Sequence, residues 1–151
     1  NFEHSFQFTG MCTLSPFLQN AYNTIFYNIQ TVNGAGQELL ELINSYSPQF
    51  TVLLDPKDIE LETIQKLSST GKIIIIREYA EKLSTTWAIP EKAWFDLYYE
   101  VIKHGLTLYK DELIIILDDL LESNLIDKSK LRSLARHRKI QDEIEEYLGS
   151  E

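Results

Sequence analysis

Glu91, Lys92 and Asp96 stand inside one aromatic-rich stretch, IPEKAWFDLYYE at residues 89–100. Two carboxylates flanking an amine are residue types suited to general acid–base work or to holding a hard cation. Chemistry requires them on one side of one element. On a helical wheel over residues 90–102, Ala93, Trp94, Leu97, Tyr98 and Val101 form one face, and Lys92, Asp96, Tyr99 and Glu100 form the other. Lys92 and Asp96 are four apart and can pair, although acid before base is the better order. Glu91 falls beside Tyr98 and Ile102, towards the apolar side, and its place in the first turn suits the helix dipole. The pattern therefore reads as a helix-start acid plus a surface pair. A buried pair between Glu91 and a basic residue elsewhere is the sharper alternative, and it makes Glu91 matter more to stability than Lys92.

Other candidates are thinner. NGAG at residues 33–36 would cradle a phosphate if it followed a strand and opened a helix, but it reads as a turn between two helices and lacks a P-loop lysine. LDDLLE offers Asp118, Asp119 and Glu122, which read as a solvated helix face unless other elements add ligands. His4, His104 and His137 have no metal spacing, and a Cys12 nucleophile would need one of them as its base. No catalytic set, metal site or cofactor is predicted.

The charge distribution is more informative. The 151-residue chain carries 23 acidic and 14 basic residues, a net charge of −9, which disfavours general binding to phosphate backbones. Yet Lys128, Lys130, Arg132, Arg136, Arg138 and Lys139 crowd one acid-free segment, so an acidic body carries one basic patch. Arg132, Arg136 and Lys139 are expected on one helical side, with Leu131, Leu134 and Ala135 turned inward. The patch, with Arg138, is the candidate partner-binding surface.

The elements that must position these residues follow from periodicity. HSFQFTGMCTL reads as a strand with a bend at Gly10, and SPFLQNAYNTIFYNI, residues 15–29, as a helix capped by Ser15 with Pro16 at its first position. A second helix carries Leu39, Leu40, Leu42 and Ile43. QFTVLLDP is a short strand stopped by Pro56, KDIELETIQKLSSTG an amphipathic helix ending at Gly71, and KIIIIRE a central strand buried on both faces. That order predicts a parallel, right-handed strand–helix–strand unit. Four helices with short connections follow residue 90. At this length one domain can bury roughly 70% of its unfolded surface without disulfides or metals. The lone Cys12 suits a reducing cytoplasm, and the longest apolar run, four isoleucines, spans no membrane.

In this order the pieces resemble the C-terminal part of AbiEi-type antitoxins of type IV toxin–antitoxin systems, which act in abortive infection and phage defence. FEHSFQF resembles the opening strand, followed by the helix with AYNTIFYNI, and FTVLLDP the strand ending in Pro. KIIIIRE comes next. PEKAWFDLYYE then resembles a Pro-Glu-Lys helix with Asp four residues after the Lys, and KLRSLARHRK the Leu-rich, Arg-rich closing helix. Trp94 and Phe95 are bulkier than the aliphatics of that pattern. The resemblance implies a non-enzymatic module that neutralises a cognate nucleotidyltransferase toxin, with Glu91, Lys92 and Asp96 as structural or interface charges.

The chain starts at Asn1, so a preceding segment is expected to be missing, and the resemblance implies that it is a winged-helix domain through which promoter DNA would be bound. The elements together predict a single α/β (α+β) domain, a small mixed sheet followed by a helical half. The alternatives are a metal-dependent nuclease or nucleotidyltransferase using Asp55, Asp96, Asp118 and Asp119, and an RNA-binding module using the basic patch alone.

Overall fold

The computed structural model describes residues 5–14, 26–67, 72–79, 82–106 and 111–148. Residues 73–76 are all isoleucine, a run that suits only a strand covered on both faces. It lies in β4 (Lys72–Tyr79), at the centre of a four-stranded mixed sheet. The sheet order is β1 (Phe6–Thr9), β2 (Phe26–Val32), β4, β3 (Phe50–Leu54). β2 and β3 run parallel to β4, whereas β1 runs antiparallel to β2. The connection from β3 to β4 through α3 (Asp58–Leu67) is parallel and has the strand–helix–strand order the sequence predicts.

Gly10 does bend the chain, with φ +56°, and α1 (Met11–Leu14) begins directly after it where the sequence reads as continuing strand. The helix expected over residues 15–29 fails at its end. Residues 26–29 belong to β2, and the part over 15–25 lies outside the described residues. Phe26 and Ile29 satisfy a helical stripe. β2, however, is covered on both faces, and its polar residues Asn28 and Gln30 are buried, so it lacks the apolar-in, polar-out pattern of a half-buried strand. The consequence reaches NGAG: residues 33–36 join β2 to α2 (Gly36–Tyr46), a strand to a helix.

Helices cover the two sheet faces unequally. Leu39, Leu40 and Ile43 of α2 pack on Ile29, Ile74 and Ile76. The other face carries Phe26, Ile73 and Ile75, against which α3 and the whole second half assemble. There α4 (Pro90–Tyr98) starts with Pro in its first turn and continues into a π-helical segment, Tyr99–Lys103. α5 (Leu113–Glu122), α6 (Lys128–His137) and α7 (Gln141–Leu148) then close around it. α4 is the hub of this core: Ala93, Trp94, Phe95, Leu97 and Tyr98 are buried, and the Trp94 indole N–H donates to the Leu113 carbonyl at 3.1 Å. Among the described residues no helix is long and apolar enough to cross a membrane.

Candidate functional site

One row of the sheet is polar and buried across three strands. Gln7 on β1 faces Gln30 on β2, and Gln30 faces Arg77 on β4, at the carboxyl ends of the parallel strands. The residues next along β1 and β2 on the same face, Thr9 and Asn28, also pair across the strands and are also buried. This is the sheet edge where open α/β folds hold ligands, because the connections leaving adjacent strands part to opposite faces. Here β2 leads to α2 on one face and β4 leads to α4 on the other.

α4 brings its charges to this row. Asp96, 8% exposed, accepts from the Thr9 hydroxyl at 2.5 Å, from the Lys92 ammonium at 2.9 Å and from the Arg138 guanidinium at 3.2 Å. Lys92 also donates to the Gln30 side-chain carbonyl. The expected surface pair is therefore a buried network. The wheel correctly puts Lys92, Asp96, Tyr99 and Glu100 on one face, but that face packs against the polar end of the sheet instead of water. A wheel separates apolar from polar, and burial follows only when the partner surface is known.

The π-helical segment sets the next contact. Its widened turn, closed by the His104 N–H on the Tyr99 carbonyl at 3.0 Å, carries Glu100 beneath β4. Glu100, 2% exposed, accepts two hydrogen bonds from Arg77, each 2.8 Å, in a bidentate pair. Arg77 also donates to the Pro56 carbonyl at 2.9 Å. Burial works against the Arg77 cation, yet the hydrogen bonds and charge of Glu100 outweigh it and hold its pKa above the ordinary value.

Glu91 is buried, 3% exposed, as its direction on the wheel predicts. Its partner is the backbone N–H of Asp127 at 2.9 Å, not a basic side chain. Asp127 in turn caps α6 by accepting from the Ser129 N–H at 2.8 Å. The Glu91 carboxylate thus fixes the start of α6 against the start of α4.

The basic patch is divided. Arg138 lies just past α6, largely buried, with its guanidinium 5.2 Å from the centre of the Tyr99 ring and 5.9 Å from that of Phe95. Arg132 pairs with Glu145 of α7 at 2.8 Å. Lys139 sits beyond the helix in a left-handed conformation, φ +60°, so it does not extend the Arg132–Arg136 stripe. Lys130, Arg136 and Lys139 are exposed. Leu131 and Ala135 turn inward as expected, and Leu134 packs on the core from the side.

The remaining candidates separate. The NGAG loop meets the strand-to-helix condition, but an internal anion stands at its helix end: the Gly36 N–H donates to the Glu78 carboxylate at 2.7 Å. Cys12 is a poor nucleophile, since burial pushes its thiol up to about 11, with the Asn28 backbone only partly opposing. Asp55 accepts from the Glu78 N–H, while Asp118 and Asp119 ride on α5. Among the described residues no three His, Cys, Asp or Glu side chains are grouped to hold a metal ion. Spacing alone did not single out Gln30, Thr9 or Arg77, whose role comes from strand register.

The fold and site together define an α/β protein whose central helix closes a polar cleft at the carboxyl edge of a mixed sheet. No protein-family model matches the chain, nor does any curated protein or solved structure.

Proposed function

We propose that this chain is a non-enzymatic, antitoxin-like module of the type IV toxin–antitoxin class, which neutralises a partner nucleotidyltransferase toxin in a reducing cytoplasm. The observation that carries the reading is how the Pro-Glu-Lys helix and the Arg-rich helix are joined. Glu91 holds the start of α6 and Asp96 holds Arg138 at its end. The two most specific segments of the resemblance thus form one rigid unit, and their charges serve to build it. Lys130, Arg136 and Lys139 stand exposed on the outside of that unit. On an acidic body they form a local, oriented attraction for an acidic partner surface.

The test is co-purification with the nucleotidyltransferase encoded beside it, at low and high salt, for the natural chain and for Arg136→Glu with Lys139→Glu. The expected result is a complex that weakens with salt and is lost on charge reversal while the fold is retained. Unchanged capture by the reversed variant would remove the patch from the interface. Metal-dependent nuclease or nucleotidyl-transfer activity abolished by Asp96→Asn would replace the reading with an enzymatic one.

A further inference from the structure

Beside the Asp96 network, at the same carboxyl edge of the sheet, a pocket of about 270 Å³ is walled by Tyr79, Tyr99, His104 and Arg138. We propose that this pocket binds a small anion carrying a planar ring, of the chemical class of a nucleoside monophosphate. The proposal stands apart from the partner reading above, which places its interface on the exposed lysine and arginine side chains on and just past the closing helix.

The lining supplies the chemistry. Among the described lining residues, two phenols, an imidazole and a guanidinium can all donate hydrogen bonds, and none is a carboxylate. Of the carboxylates nearby, Asp96 pairs with Lys92 and Arg138, Glu100 pairs with Arg77, and Asp58 is hydrogen-bonded to the His104 ring. A chain of net charge −9 repels an anion from most of its surface, so a recess that presents the Arg138 guanidinium among neutral donors is where one would be held. Burial is the main reason that the Tyr79 and Tyr99 phenols both lie above their ordinary pKa, which keeps their O–H groups available as donors.

Geometry adds orientation. The Arg138 guanidinium is fixed by Asp96 and by the ring of Tyr99, so little freedom is left to lose when an oxyanion docks. Tyr99 is anchored by the π-helical segment, a local distortion common at functional sites. Tyr79, the last residue of β4, is 36% exposed and offers a ring at the mouth. Position agrees with composition: the pocket lies outside the carboxyl end of β4, at the point where the connections of β2 and β4 diverge. Its volume falls just below the usual range for drug-sized ligands, which suits a mononucleotide better than a dinucleotide.

The full chain is titrated with AMP, GMP, CMP and UMP, and in parallel with adenosine and with inorganic phosphate, while backbone amide resonances are followed by NMR. At least one monophosphate is expected to saturate, shifting the amides around Tyr79, Tyr99 and Arg138, with nucleoside and phosphate each binding far more weakly. Tyr79→Ala should weaken the monophosphate roughly fivefold to a hundredfold, the range expected for loss of a base–aromatic contact. His104→Ala, at a half-exposed position, should weaken it as well and serves where the first variant is unstable. Lack of saturation by every monophosphate at millimolar concentration overturns the proposal. Phosphate alone binding as tightly as the nucleotides, or unchanged binding in both variants, overturns it equally.

Discussion

At Asp96 three donors converge on one buried carboxylate, and the consequence is asymmetric. Asp96→Ala leaves Lys92 and Arg138 without their counter-charge, and losing one partner of a buried pair costs about 3–5 kcal/mol. The urea midpoint should fall accordingly. Arg132→Ala, which breaks the exposed pair with Glu145, should leave the midpoint within error. The same logic reverses the expectation drawn from sequence for Glu91 and Lys92. Glu91→Gln keeps a carbonyl oxygen for the Asp127 N–H, whereas Lys92→Ala takes a cation from both Asp96 and Gln30. Lys92→Ala should therefore be the costlier change, as the two midpoints will show. Cys12 supplies a pH prediction. Its folded pKa is raised from about 9 to about 11, so above pH 9 the unfolded chain releases a proton that the folded chain retains. Stability should be unaffected by this group below pH 9 and decline as pH rises from 9 through 11. The decline should shrink in Cys12→Ala, measured as urea midpoints across that window.

Elements differ in how much of them the residues declare. The isoleucine run of β4 and the Pro-led α4 are legible because each fits one period and one burial pattern. β2 is not, because Phe26 and Ile29 fit a helical stripe while the strand is covered on both sides, its polar Asn28 and Gln30 included. That one misreading also assigned the NGAG loop the wrong neighbours. The polar cleft is legible only in part: its residues from α4 share a wheel face, but Gln7, Gln30 and Arg77 meet through register between strands distant in sequence. Gly10 and Gly34 separate conformation from packing. Both have positive φ, +56° and +89°, yet a Cβ at Gly34 would meet open space while one at Gly10 would lie 2.9 Å from the Cβ of Asn28. Gly34→Ala should cost about 1–2 kcal/mol from backbone strain alone. Gly10→Ala adds overpacking of about 1–3 kcal/mol between β1 and β2. Thermal denaturation of the two variants distinguishes them, and equal losses would show that the β1 bend relaxes freely.

Across the whole molecule, one core runs from Met11 and Phe26 beneath the sheet to Ile144 and Leu148 at the end of α7. The sheet-first, helices-after order of the chain suggests two separable halves, but the packing opposes it. α4 lies between them with its apolar face in the helical core and its charged face in the sheet. Arg77–Glu100, Thr9–Asp96 and Tyr98–Glu143 tie strands, α4 and α7 in series. Opening either half exposes part of the same buried network, where unpaired polar groups are expensive. The two halves should therefore unfold together. Trp94 is fully buried and reports the helical half, while Trp87, 54% exposed, would dilute its signal. In a Trp87→Phe background, the urea transition of Trp94 fluorescence should coincide with that of far-UV circular dichroism. Hydrogen exchange should then give β4 amides at Ile74–Ile76 the same opening free energy as α5 amides at Ile116–Leu117. Arg138→Gln, which loosens the link between the closing helix and Asp96, should lower both by the same amount. If the α5 amides alone weaken while β4 keeps its protection, the helices form a separate unit and Arg138 is only a local clasp.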